Sequence, residues 1–223
     1  MRSGHRRVVA ASVLTGLSAL AGCPSTNEPP GPCVAVDEAW IDTAPRCGSS
    51  SELYRGPPQL PSVEGCQVLL GDVDYSYTRQ TAVPEFRGFR AVMGRFNLFG
   101  ASELSDLSGL SSIEHLGVFS IRSARVTDLR GLDSLTSVSE FVRVQEMPSL
   151  RSVDGVGALR QVHANLEIIH NPQLVSLRGL SSLCHVGGDL MIYDNPQLPQ
   201  SEIDWLLGQV EVGGRVILAY EDR

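Results

Sequence analysis

The chain has 223 residues, of which 42% are hydrophobic and 19% charged, and its formal net charge is −7. All 18 basic side chains are arginine and they are scattered, so the sequence carries no basic stripe of the kind that binds nucleic acid. The lack of lysine is typical of a GC-rich bacterial genome, because arginine has GC-rich codons.

The first 22 residues have the pattern of a secretion signal. Arg2, Arg6 and Arg7 precede an apolar stretch, residues 8–21, that is too short to span a bilayer. The Leu-Ala-Gly-Cys sequence ending at Cys23 resembles the bacterial lipobox, which implies cleavage after residue 22 and lipidation of Cys23. An ordinary signal peptide with a chance cysteine is the alternative. Several acyl chains, at about 0.8 kcal/mol per buried CH₂, would anchor the chain firmly in a membrane.

Residues 23–63 are predicted to form an extended tether between the lipid and a folded domain. Eight of the 13 prolines fall in residues 24–63, and proline-rich segments act as semi-rigid spacers. Pro24 follows Cys23, where an aspartate would favour retention in the inner membrane. We therefore expect an extracytoplasmic protein in the outer membrane of a GC-rich Gram-negative bacterium.

A repeat of about 24 residues fills the predicted domain, residues 64–223. The decapeptides 165–174 and 189–198 are nearly identical. A fixed period of this size predicts a solenoid, here of about six rungs. Apolar residues alternate over short segments with the same period, which predicts one strand per rung with one buried face. These pairs are Val73/Tyr75, Phe96/Leu98, Phe119/Ile121, Val142/Val144, Leu166/Ile168, Leu190/Ile192 and Val216/Leu218.

Between the strands, apolar residues fall at every third position. On an α-helix this spacing would drift by about 60° per step, so the residues could not share one face. A chain that bends around an axis and points one side chain inward at each bend fits better. Asn171 and Asn195, each followed by proline, supply turn chemistry after two strands. Residues 201–207 predict one short helix near the C-terminus, with Ser201 as its N-cap.

The Gly-Gly-Asp-Leu-x-Ile strand, the Asn-Pro-x-Leu turn and the Leu-x-x-Leu-x-x-Leu-x-x-Val run resemble the receptor L-domain family. The resemblance covers residues 65–223 and is clearest over residues 140–198. Members are leucine-rich-repeat-like right-handed β-helices of insulin and epidermal growth factor receptor ectodomains, and similar modules occur in bacterial surface lipoproteins. The resemblance implies a mainly β, right-handed parallel β-helix that binds partners, and it names no ligand.

Four cysteines remain besides Cys23, in a compartment that permits disulfides. Cys66 and Cys184 lie five rungs apart, about 24 Å, which is too far for a bond. We expect Cys33 and Cys47 to pair within the tether, leaving Cys66 and Cys184 as free thiols. Pairing of Cys66 with Cys33 or Cys47 is the alternative.

Candidate catalytic groups are few. His115 and His185 share a column of the repeat but lie about 14 Å apart, too far to share a metal. Glu146, His170 and Asp194 fall in one column on adjacent rungs. This ladder predicts a weak cation site or, as the favoured alternative, a solvated stack of charges. The sequence predicts no enzyme, no cofactor and no metal centre.

The outward positions of the strands carry the candidate partner-binding face. Arg143 aligns with Glu167 as an opposite-charge pair, and Ile169, Met191 and Tyr193 lie beside them. An apolar patch rimmed by charge is typical of a surface that binds a protein, a peptide or a glycan. The alternative is that the tether covers it. We therefore expect a lipid-anchored, non-catalytic binding or adhesion module; a structural envelope lipoprotein is the second hypothesis and a β-helix enzyme a distant third.

Overall fold

The computed structural model describes residues 36–48, 50, 53–55, 65–86 and 88–219. Over these residues the chain is mainly β and forms a parallel β-solenoid of about seven turns. The predicted fold class, a parallel solenoid with a short C-terminal helix, is therefore confirmed. Cys23 and Cys33 lie outside the described residues.

Most elements are strands of two to four residues. The strands are β1 (Arg46–Cys47), β2 (Leu53–Arg55), β3 (Val68–Leu69), β4 (Asp72–Asp74), β5 (Ala91–Phe99), β6 (His115–Arg122), β7 (Ser137–Val138), β8 (Val142–Gln145), β9 (Gln161–Val162), β10 (Leu166–Ile169), β11 (His185–Val186), β12 (Leu190–Tyr193), β13 (Glu211–Val212) and β14 (Val216–Ile217). The α-helices are α1 (Ala39–Thr43) and α2 (Gln200–Leu207), and single 3₁₀ turns cover Ser108–Leu110 and Arg178–Leu180.

The strands form two parallel rows that meet at a corner in each turn. The first row contains β1, β3, the starts of β5 and β6, then β7, β9, β11 and β13. The second row contains β2, β4, the ends of β5 and β6, then β8, β10, β12 and β14. Leu166 pairs with Val142 on one side and with Leu190 on the other. Each turn thus adds one strand to each row, and equivalent repeat positions stack in columns.

The core lies inside the turns and is built from the predicted apolar positions. The inward strand residues from Val73 to Ile192 are at most 5% exposed. The residues at every third position also point inward, and Leu174, Leu177 and Leu183 are each at most 1% exposed. The spacing of three was therefore interpreted correctly as a bending chain. The final predicted pair differs, since Val216 is 43% exposed and Leu218 is 40% exposed.

A corner at the end of each second-row strand turns the chain through left-handed backbone geometry. Glu146, His170 and Asp194 have φ values of 53°, 56° and 56° there. Tyr77, Gly100 and Ser123 occupy the same column. The corner amides from Tyr77 to His170 each donate to the last strand carbonyl of the following turn, as His170 does to Tyr193. We call this column the corner ridge: Tyr77, Gly100, Ser123, Glu146, His170 and Asp194.

The two Asn-Pro turns have a structural cause. Asn171 is fully buried, and its Oδ1 accepts a hydrogen bond of 3.1 Å from the Met147 amide of the preceding turn. Its Nδ2 donates to the Val144 carbonyl at 3.1 Å. Asn195 repeats this arrangement by accepting from the Asn171 amide at 3.0 Å and donating to Ile168. The asparagine amides thus continue the hydrogen-bond ladder around a bend where backbone groups cannot reach one another.

The prediction of an extended tether over residues 23–63 is wrong for its described C-terminal part. β1 pairs with β3 and β2 pairs with β4, so these strands add a turn before the first predicted one. Helix α1 packs Ile41 against Val68 and Ala91 on the outside of the first row. Strands this short carry too little apolar periodicity to be seen among prolines.

The predicted Cys33–Cys47 disulfide is also wrong, because Cys47 is bonded to Cys66 with Cα atoms 6.0 Å apart. The pairing of β1 with β3 brings Cys47 beside Leu69, close to Cys66 in the chain. The alternative that linked Cys66 to Cys47 is confirmed. Cys184 is disulfide-bonded as well, so the two predicted free thiols are not free.

In the last turn, helix α2 covers the core at the place where earlier turns bend and point leucines inward. Ile203 and Leu206 are 8% and 0% exposed and belong to the main core, as the predicted apolar stripe requires. The predicted N-cap is displaced, since the helix begins after Pro199 and no side chain caps it.

Candidate partner-binding face

The register of the second row brings the five predicted face residues together. Glu167 pairs with Arg143 on one side and Met191 on the other, and Ile169 pairs with Tyr193. Because side chains alternate along a strand, all five project from the outside of the second row. We call this surface the partner-binding face.

Arg143 and Glu167 form a two-point ion pair, with Arg143 Nε and Nη2 at 2.5 and 3.2 Å from the carboxylate oxygens. The Glu167 side chain is only 9% exposed and that of Arg143 is 39% exposed. The hydrogen bond to Glu167 raises the pKa of Arg143 above its ordinary value. The guanidinium also lies over the Phe141 ring, 5.1 Å from its centroid. This arginine is therefore held by an acid on one side and a ring on the other.

A second arginine repeats the arrangement one turn earlier. Arg122 binds the Glu146 carboxylate through two hydrogen bonds of 2.8 and 2.6 Å and lies 4.9 Å from the Phe99 ring centroid. These hydrogen bonds hold the pKa of Glu146 below its ordinary value. Tyr77, which is 73% exposed, meets Phe99 edge-on at 5.1 Å. The face thus continues across earlier turns as alternating arginines and aromatic rings.

The apolar part of the face is less open than the sequence predicts. Ile169 is only 4% exposed, whereas Met191 and Tyr193 are half-buried. The Tyr193 ring lies edge-on against His170, with centroids 5.9 Å apart. Met191 and Tyr193 therefore carry the accessible apolar surface, and Ile169 supports it from below.

The corner ridge borders this face and contains the predicted acid–histidine–acid ladder. His170 Nδ1 lies 3.1 Å from Asp194 Oδ2, and both side chains are about half exposed. Glu146 takes Arg122 as its partner, so the ladder is a stack of surface ion pairs, as the favoured interpretation held. An open cleft of about 650 Å³ lies beside it, lined by His170, Pro172, Asp194, Asn195 and Pro196.

Among the described residues, four arginine–acid pairs join residues 24 positions apart. The sequence analysis recognised only one of them, Arg143 with Glu167. Arg122 and Arg143 bind acids 24 residues further along the chain. Arg90 with Glu114 and Arg178 with Glu202 have the same separation. A search of the sequence for arginine and glutamate at this spacing could have found them.

A second polar cluster lies on the first row, beneath the segment that leads into α1. His115 is 1% exposed, and its two ring nitrogens are each 2.7 Å from a serine hydroxyl, Ser137 at Nδ1 and Ser139 at Nε2. Glu38 Oε1 approaches His115 Nδ1 at 3.5 Å and His163 Nε2 at 3.7 Å. Burial lowers the pKa of His115, which Glu38 partly offsets and His163 reinforces.

This cluster resembles a serine–histidine–acid relay in its contacts. The Ser139 and Glu140 amides both donate to carbonyls of the preceding turn, Leu116 and Gly117. Neither amide is therefore available to stabilise an oxyanion. The contacts instead satisfy a buried imidazole. His185 occupies the same column through Ser137 and Gln161, as predicted, and lies three turns away from His115.

Within the ranges that the structure describes, no three His, Cys, Asp or Glu side chains are arranged to hold a metal ion. No helix among these residues has the length and apolar character needed to cross a bilayer. The sequence matches no protein-family model and no curated protein.

Proposed function

We propose that this protein is a lipid-anchored module of the cell envelope that binds a protein, peptide or glycan partner without catalysis. The supporting observation is the composition and rigidity of the partner-binding face. Arginine, tyrosine, phenylalanine and methionine are the residues enriched at the centres of protein interfaces. Here Arg122, Arg143, Met191 and Tyr193 combine that chemistry with partial exposure.

Pre-organisation supports the same function. Arg122 and Arg143 are each fixed by a two-point ion pair and a ring, so little side-chain entropy remains to be lost on binding. The strands beneath them are locked into a ladder of parallel pairs. A partner would meet a surface that already has its bound shape.

The face is tested with a double variant, Met191→Glu with Tyr193→Glu, whose side chains are half-buried on the outside of the sheet. We expect capture of crosslinked partners on intact cells to fall to background while the circular dichroism spectrum stays unchanged. Val175→Glu is the matched control, since Val175 is 44% exposed and lies on the bend side of the solenoid. Equal capture by the double variant and the control would refute this binding face.

The anchor is tested separately by Cys23→Ala. Lipidation requires the thiol, so the variant should leave the membrane fraction and lose its incorporated fatty acid. Retention of both in the variant would refute the lipid anchor and leave the binding proposal untouched.

A structural role in the envelope is the second candidate. It is favoured by the continuous ladder of parallel strands along the solenoid, because a rigid stack is what a spacer would have. This role predicts that the double variant alters envelope integrity and captures the same partners as the native chain.

A further inference from the structure

The last described turn of the solenoid leaves its core open at the edge. Among the described strands, β13 pairs only with β11 and β14 only with β12. Val216 continues the inward column of Leu166 and Leu190, yet it is 43% exposed where they are 1% and 0%. Leu218, at the next inward position, is 40% exposed. The outer edge of this turn therefore presents apolar side chains together with a strand whose second side has no described partner.

The C-terminal part of this edge lacks the features that protect natural sheet edges. Proteins usually place lysine, proline, a bulge or an inward charge on such a strand. Here residues 216–219 read Val-Ile-Leu-Ala, without charge or proline. Helix α2 covers the neighbouring side of the core through Leu206 and leaves Val216 and Leu218 exposed. An edge of this kind is suited to pairing with another strand.

The sequence of the edge is symmetric in its apolar positions about Gly214. Val212 and Val216 lie two residues on either side of Gly214, and Val210 and Leu218 lie four residues on either side. Val212 continues the inward column of Val162 and Val186, and Val210, which follows α2, also packs against the core. A two-fold axis through Gly214 would place Val210 of one copy beside Leu218 of the other, and Val212 beside Val216. Such self-complementarity is what an isologous interface needs.

The charges at the edge fit the same arrangement. Glu211 has a 78% exposed side chain, and Arg215, which binds Asp189, is 69% exposed. In the antiparallel pairing that the axis produces, Glu211 of one copy lies diagonally across from Arg215 of the other, within reach of a long side chain. Unlike charges thus meet at both ends of the contact.

The symmetry of the apolar positions and the charge pairs between copies favour a closed two-fold contact over an open filament. We propose that the edge formed by residues 210–218 is a docking surface for a second copy of this chain, and that two solenoids join end to end through antiparallel pairing about Gly214.

The proposal is tested by sedimentation equilibrium of the full chain in a density-matched nonionic detergent. We expect the native chain to dimerise reversibly, and Leu218→Glu and Val210→Lys each to raise the dissociation constant at least about tenfold. Val175→Glu, at an equally exposed apolar side chain away from the edge, should dimerise like the native chain. A native chain that stays monomeric up to about 1 mM, or assemblies that keep growing with concentration, would overturn the closed dimer.

Mixing the two charged variants tests the register itself. The predicted pairing places Lys at position 210 of one copy beside Glu at position 218 of the other, so the mixture should regain the affinity that each variant loses alone. A mixture as weak as its components would overturn the antiparallel register. Should a charged variant lose its native circular dichroism spectrum, Leu218→Ala removes the contact without adding a charge. Undiminished dimerisation of a folded Leu218→Ala chain would place the contact elsewhere and refute the proposal.

Discussion

The two rows of strands share one core but present different outer surfaces. On the first row, Val68, Ala91, His115 and Ser137 are all at most 1% exposed, beneath the segment that contains α1. On the second row, arginines paired with acids lie over the sheet and remain partly exposed. On the first row, small or neutral outward residues therefore lie under a covering segment of the chain. On the second row, long charged side chains cover the sheet themselves, and these side chains remain accessible to a partner. The same scaffold can hold part of its own chain on one side and offer a surface on the other.

The largest expected effect comes from detaching the segment that contains α1 from the first row. Ile41→Asp places a charge where α1 meets Val68 and Ala91, so docking of the segment should weaken by about 3 kcal/mol. Hydrogen exchange of the amides of His115 and Ser137 should then accelerate, while that of β10 and β12 stays slow. Ile41→Val, which keeps an apolar contact, is the control. Unchanged exchange at His115 would mean that the segment does not protect the first row.

The second-largest expected effect is a pH dependence of the unfolding free energy, and it should arise from the first row. His115 faces Glu38, His163, Ser137 and Ser139, and burial holds its pKa below the ordinary 6.5. As the pH falls below about 6.5, the unfolded chain takes up a proton first, so the folded chain loses stability until His115 itself titrates. The contribution that neutral, buried His115 makes to the unfolding free energy above this pH should therefore be lost on acidification.

Chemical unfolding between pH 7.5 and 5 measures this slope. His115→Gln can still meet both serine hydroxyls and cannot titrate, so its slope should be smaller than that of the native chain. Equal slopes would assign the pH dependence to other groups.

A smaller loss of unfolding free energy is expected when an ion pair on the second row is changed. Glu167→Gln removes the charge that pairs with Arg143 but keeps the volume and one acceptor. Because Arg143 is 39% exposed and solvent screens it, the loss in unfolding free energy should be only about 1 kcal/mol. Asp128→Asn, at the pair with the 71% exposed Arg130, should change stability by less than that. A loss above about 3 kcal/mol would show that the partner-binding face depends on this pair for its fold.

The smallest effect concerns the core that both rows share. A void of about 20 Å³ lies beside Val142, Val144, Val153 and Val156, where neighbouring turns carry larger side chains. Val153→Leu matches Leu129 and Leu177 in its column, and filling the void should stabilise the chain by about 0.5 kcal/mol in a thermal unfolding assay. Val162→Leu, away from this void, should destabilise by overpacking. Destabilisation by Val153→Leu would show that the void is too narrow for the larger side chain.

The repeating parts of the molecule could be predicted because the core imposes a period on them. Val142, Leu166 and Leu190 occupy equivalent positions, and the sequence therefore predicts their strands, their register and the neighbours on the outer face. The first turn escaped prediction because Arg46–Cys47 and Leu53–Arg55 are too short to display a period. The Cys47–Cys66 bond was missed for the same reason, since it depends on where that turn folds.

Exposure was harder to predict than register. Alternation places Ile169 on the outside of the sheet, but only the surrounding atoms determine that it is 4% exposed. Likewise, Asn171 was recognised as a turn residue, while its role as a buried bridge between turns depends on backbone groups 24 and 27 residues away. Contacts that cross between turns are invisible to a local sequence pattern unless the spacing between repeats is searched.

The arginine–acid pairs at a spacing of 24 residues have a consequence for how the chain finds its fold. Nearly identical repeats can stack with one turn looped out, and the inward leucines and valines would scarcely distinguish that arrangement from the native one. If the turn with β8 were skipped, Arg122 would meet His170 in place of Glu146; if the turn with β10 were skipped, Arg143 would meet Met191 in place of Glu167. Each such error separates a cation from its acid. The charge pairs thus form only when each turn stacks on its native neighbour. They therefore disfavour misassembled stacks whose hydrophobic burial would be nearly the same as in the native fold.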